Sequence, residues 1–117
     1  MPDLRDVVQS LAARPDVEAV VVVSNDGMPI DQAGRAGVDI DAIAALAATF
    51  TQSAQRLGEA ASCAALICSV VEYADRMAVV RPLGPEGLLF VLAAPASNVG
   101  ALLYDLRRHG PALATLL

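Results

Sequence analysis

The side chains able to do chemistry are few in this chain, and their spacing does not bring them together. His109 is the only histidine and sits in the run Leu106-Arg107-Arg108-His109-Gly110. Such a place reads as a helix end, where an imidazole interacts favourably with the C-terminal dipole, rather than as an acid/base group. Cys63 and Cys68 lie in an apolar, strand-like stretch. On a strand that spacing sends them to opposite faces, so they neither pair nor share a metal. They read as buried structural thiols, in keeping with a reducing compartment. One histidine and two mis-spaced cysteines make no zinc site. Asp39 and Asp41 flank a predicted helix start, where carboxylates cap and complement the dipole. Asn25-Asp26-Gly27 lacks the further carboxylates of a calcium loop. Leu83-Gly84-Pro85-Glu86-Gly87 lacks the Gly-Lys-Ser/Thr ending of a phosphate loop, and a strand follows it instead of a helix. No Gly-x-Ser-x-Gly elbow is present. No catalytic residue, metal ligand or cofactor site is therefore assigned, and the pattern argues against an enzyme.

With no reaction to position, the remaining elements must serve another end. A chain of 117 residues is expected to form a single domain over residues 1–117. Hydrophobic residues make up 56 % of it. That is apolar for a small monomer and suggests surface covered by another chain. The longest apolar runs, Ala19 to Val23 and Ala60 to Val71, fall short of the ~20 residues that span a bilayer. The opening Met-Pro-Asp-Leu-Arg-Asp has no basic, apolar leader character, so a cytoplasmic protein without membrane insertion is expected. Net charge is −5, and the eight basic residues are all arginine and scattered. A phosphate backbone needs a clustered basic face, so nucleic acid is excluded as a partner.

Hydrophobic periodicity predicts the elements. Leu4, Val7, Val8, Leu11 and Ala12 form a helical stripe, with Pro2 in the first turn and Pro15 just past the end. Val17 to Val23 is a β-branched run with both faces covered, and Ser24-Asn25-Asp26-Gly27 turns it into a second strand from Met28 to Ala33. Pro29 makes that strand an edge or irregular. Asp39 caps a long helix to Leu57, with Gly58 as its stop. Its core stripe is read as Ile43, Ala47, Phe50, Ala54 and Leu57. Three further strands follow: Cys63 to Val71, Met77 to Arg81 and Leu88 to Ala94. Ser97 caps a last helix with the stripe Val99, Leu102, Leu103 and Leu106, stopped at Gly110-Pro111. The order is α-β-β-α-β-β-β-α. It is an α/β chain of the α+β kind, with a five-stranded, mainly antiparallel sheet covered by helices on both faces.

Beside its stripe, the long helix carries Ala45, Ala48, Thr49, Gln52 and Ser53, all small or modestly polar, and then Arg56. Two readings stand. These residues pack in the domain's own core, or they meet another copy across a two-fold axis. The third strand, which includes Leu66 and Cys68, has no Lys or Pro gatekeeper and would be hazardous as a bare edge, which pairing with its own copy would remove.

Taken in order, Pro15-Asp16-Val17-Glu18-Ala19-Val20-Val21-Val22, Asn25-Asp26-Gly27-Met28-Pro29-Ile30, Leu88-Leu89-Phe90-Val91-Leu92 and Asn98-Val99-Gly100 through Leu106-Arg107 resemble the roadblock/dynein light-chain domain family over nearly the whole chain. Asp16 stands where many members have glycine. The resemblance implies a homodimer with the long helices packed antiparallel and the third strands joined into one sheet. It implies a role as activating protein, co-activator or scaffold for a Ras-like small GTPase, without GTP hydrolysis by the domain itself. The paired helices would be the platform. Ala45, Ala48, Thr49, Gln52, Ser53, Arg56, Leu66 and Cys68 are then the dimer and partner interface candidates, although for Arg56 a salt bridge or plain solvation is the simpler reading. No arginine finger is nominated. The alternative is a PAS- or GAF-like small-molecule sensor, whose aromatic-lined pocket is at odds with an aromatic content of 3 %.

Overall fold

The computed structural model of the protein describes residues 3–34, 37–95 and 99–117. The expected roles of Pro2, Ser97 and Asn98 lie outside the described residues. The order is α1 (Leu4–Ala12), β1 (Val17–Ser24), β2 (Pro29–Gly34), α2 (Ile40–Ala60), β3 (Ser69–Glu72), β4 (Met77–Pro82), β5 (Gly87–Ala93) and α3 (Val99–Leu116). The strands form one antiparallel sheet in the order β2-β1-β5-β4-β3. The α+β class and the element order are as the sequence predicts.

The β-branched run of β1 sits centrally between β2 and β5, and Val20 to Val23 are wholly buried. Its two faces feed two cores. Val20 and Val22 meet α1 and α3 through Val8, Leu11, Leu102 and Leu106, while Val21 and Val23 meet α2 through Ala44, Ala47 and Ala48. Helix α1 is held by a capping box in which Asp3 and Asp6 each accept from the other's backbone amide. Arg14, beyond its end, bonds both Asp16 and Asp105 and so ties α1 and β1 to α3. The hydrogen bond to Asp16 leads the effects that hold the Arg14 guanidinium further into its charged form than usual.

Three boundaries differ from the sequence reading. Helix α2 runs through Gly58 to Ala60, and the left-handed residue that ends it is Ser62, at φ 60°. Helix α3 runs through Gly110-Pro111 to Leu116, because Leu113 continues the buried stripe of Leu102 and Leu106 and outweighs the lost amide. His109 is accordingly inside the helix and not at its end. Gly110 is buried against β4, where a Cβ would stand 3.0 Å from Arg81 Nε. Strand β3 begins at Ser69, not Cys63. Pairing stops where Ser69 faces Val80, short of Pro82, whose nitrogen carries no hydrogen to donate.

The shorter β3 changes the setting of the cysteines. Cys63 is exposed and outside any strand, which overturns its reading as a buried thiol. Cys68 is half-buried against the α1/α3 core.

Candidate interaction surface

Helix α2 covers only part of its face of the sheet, and which side it buries is set by the strands beneath. Val21, Val23, Val80 and Leu88 present bulky side chains there, so the helix approaches on its small residues. Ala44, Ala47, Ala48 and Thr51 are its buried positions. The turn between β1 and β2 presses on the same helix. Gly27, at φ 87°, would place a Cβ 3.4 Å from Ala45 Cα and 3.6 Å from Ala48 Cβ. The expected core stripe is thereby corrected: Phe50 and Leu57 are exposed, Ile43 and Ala54 are half-buried, and only Ala47 is buried. Two apolar arcs compete on α2, and the one with less bulk faces the sheet.

The displaced stripe looks onto uncovered sheet. Ile43, Leu46 and Phe50 from α2, with Val71 and Val80 from the strands and Tyr73 just past the end of β3, line an apolar groove of about 480 Å³. Leu46 is 68 % exposed and Leu57 72 %. Leaving such a leucine in water forgoes about 1.5–3 kcal/mol of burial free energy. The groove runs towards β3, the edge strand of the sheet, which pairs with β4 alone. Val70 on β3 and Ile67 just before it are exposed, and among the described residues the backbone of Ala64 to Ile67 makes no hydrogen bond.

The opposite edge is protected differently. Strand β2 carries Pro29 and Asp31, and Arg5 of α1 reaches over it, 2.7 Å from Asp31 Oδ1 and 2.7 Å from the Gln32 carbonyl oxygen. Proline, charge and a covering side chain are the usual means of blunting an edge. Strand β3 has Glu72 alone.

The predicted interface residues separate on this geometry. Ala45, Thr49, Gln52, Ser53 and Arg56 are exposed along the outer side of α2, and Thr49 Oγ1 donates back to the Ala45 carbonyl at 3.2 Å. Arg56 makes no ion pair among the described residues. Ala48 is buried against the sheet of its own chain. Leu66 and Cys68 are half-buried in the extended stretch before β3. Burial pushes the Cys68 thiol up, with the positive charge of Arg81 working against it. Leu46, Phe50, Leu57, Ile67, Val70 and Tyr73 were missed as surface residues. The signal for Phe50 and Leu57 was already visible in the 43-50-57 spacing, read as core. Titratable groups do not gather here, and no group of three or more His, Cys, Asp or Glu side chains is placed to hold a metal among the described residues. No described helix is long and apolar enough to cross a membrane.

The chain is similar to known proteins in sequence pattern and in fold. The sequence pattern of the Roadblock/LC7 domain matches residues 4–93. A Roadblock/LC7 domain from Streptomyces avermitilis superposes with a TM-score of 0.87 at 23 % identity, covering 97 % of this chain and 97 % of that one. MglB of Myxococcus xanthus superposes with a TM-score of 0.89 at 18 % identity, covering 97 % and 93 %. The gliding protein MglB from Thermus thermophilus gives 0.86 at 17 %, covering 97 % and 87 %. No curated protein sequence matches the chain.

Proposed function

The chain belongs to the Roadblock/LC7 domain family, and from that premise we propose that it is a non-catalytic, homodimeric regulator or scaffold for a Ras-like small GTPase. The observation that carries the dimer is the continuity of the α2 groove with the bare β3 edge. Under a two-fold axis a β3 edge pairs with its own copy, while the exposed stripe of Leu46, Phe50 and Leu57 covers that of the partner. The reading treats residues 1–117 as one domain.

The GTPase reading rests on the family resemblance of the sequence, and the surface that would remain after dimerisation supports it. Ala45, Thr49, Ser53 and Arg56 lie on the outer side of α2, so two helices side by side present a level face of small side chains with one arginine from each copy. Regulation there means favouring one conformation of the bound GTPase through differential contact with its two nucleotide states.

Binding measured by calorimetry against Ras-like GTPases of the source organism, loaded with GDP or a non-hydrolysable GTP analogue, tests this reading. It expects a complex with at least one of them that discriminates between the nucleotide states. A chain that stays monomeric and binds no such GTPase in either state overturns it.

A further inference from the structure

Helix α2 divides at Thr51. Before that point it buries one side against the sheet; from Gln52 to Ile67 no residue is buried. Leu57, Leu66 and Ile67 lie in this stretch with nothing of their own chain over them sufficient to bury them. Its helical part, Gln52 to Ala60, consists mostly of good helix formers, so local propensity and not packing holds it. Ser53 and Gly58 are weak helix formers, and Ser62 ends the helix in a left-handed conformation that suits glycine. Most helical stability in proteins comes from packing an apolar face, so the unpacked end of this 21-residue helix has only propensity behind it. The strand-like stretch that follows lacks the ladder that would hold it, since the backbone of Ala64 to Ile67 makes no hydrogen bond among the described residues.

We infer that the segment from Gln52 to Ile67 folds only on docking with a second copy of this chain, so that dimerisation assembles the partner platform instead of merely doubling it. The inference rests on the homodimer proposed above. A second copy is the occupant because one two-fold contact supplies both things the segment lacks. Antiparallel pairing of the extended stretch with itself satisfies the backbone, and the exposed α2 stripe of the other copy covers Leu57. Only this edge is open to it, the β2 edge being closed by Pro29 and by Arg5 across Asp31 and Gln32. Ser53 and Arg56 lie in the segment, whereas Ala45 and Thr49 lie before it. Below the dimer dissociation constant the chain keeps its sheet, α1, α3 and the first half of α2, and loses half of the platform.

Hydrogen exchange read by mass spectrometry, with light scattering on the same samples, tests this on the unaltered chain and on Ile67→Lys. In the dimer, amides from Gln52 to Ile67 are expected to be protected. In the monomer they exchange at least about 100-fold faster, while Val20–Val23 and Leu89–Val91 stay protected and report a folded sheet. A monomer whose Gln52–Ile67 amides keep the dimer's protection overturns the inference and leaves the homodimer standing. An unaltered chain that is monomeric at every concentration overturns the homodimer itself, whatever its exchange. Should Ile67→Lys lose protection in β1 and β5 as well, dilution of the unaltered chain gives the same comparison.

Discussion

Gly27 and Ala48 meet where the β1–β2 turn crosses the long helix: a Cβ on Gly27 would lie 3.6 Å from that of Ala48. Smallness at this point serves the domain's own packing, which separates Ala48 from the exposed Thr49 beside it. Ala48→Leu is expected to overpack the contact and destabilise the fold by about 1–3 kcal/mol. Thr49→Leu, on the outer side, stays within about 0.5 kcal/mol. Urea unfolding of both variants at one protein concentration checks the difference.

That pair also shows what was legible in the sequence. Runs of valine and the Asp-Gly turn define β1 and β2 without help from the rest of the chain, and Asp39 caps α2 as read, accepting from the Ala42 amide at 3.1 Å. The rotation of α2 was not legible. Its two arcs are both apolar, and the choice between them lies in the bulk of Val21, Val23, Val80 and Leu88 across the core. The same holds for Gly110-Pro111, a local stop signal overridden because α3 continues into contact through Leu113. The end of β3 could not be read from a run of apolar residues either, since it depends on where β4 stops offering partners.

Arg14 is a junction between three elements. It reaches Asp16 at 3.2 Å and also pairs with Asp105, and all three side chains are largely shielded. Arg14→Ala should cost about 1–3 kcal/mol, because two carboxylates lose a charge-assisted donor. Arg5→Ala removes the pair with Asp31, in which the arginine is 54 % exposed, and should cost less than about 1 kcal/mol. Thermal unfolding of the two variants side by side gives the comparison.

Cys68 reports on the seam between β3 and the α1/α3 core. Burial holds its thiol above the ordinary range. In Cys63→Ser protein at neutral pH, labelling of Cys68 by a disulfide reagent should therefore be at least about 10-fold slower than in the urea-unfolded chain. The sign for stability follows from the same shift. The unfolded thiol gives up its proton at lower pH than the folded one, so the contribution is unchanged below the ordinary thiol range and falls as pH rises through it. A Cys68→Ala variant should lack this alkaline decline in stability.

Closure of the α2 stripe and the β3 edge by a second copy underlies both the platform and its assembly. Light scattering on the native protein across a dilution series measures that closure without any substitution. A particle of twice the 12.1 kDa chain mass is expected at high concentration, falling towards a single chain only on dilution. A mass of one chain at every concentration would leave the groove and the edge open, contrary to the dimer proposed for this protein.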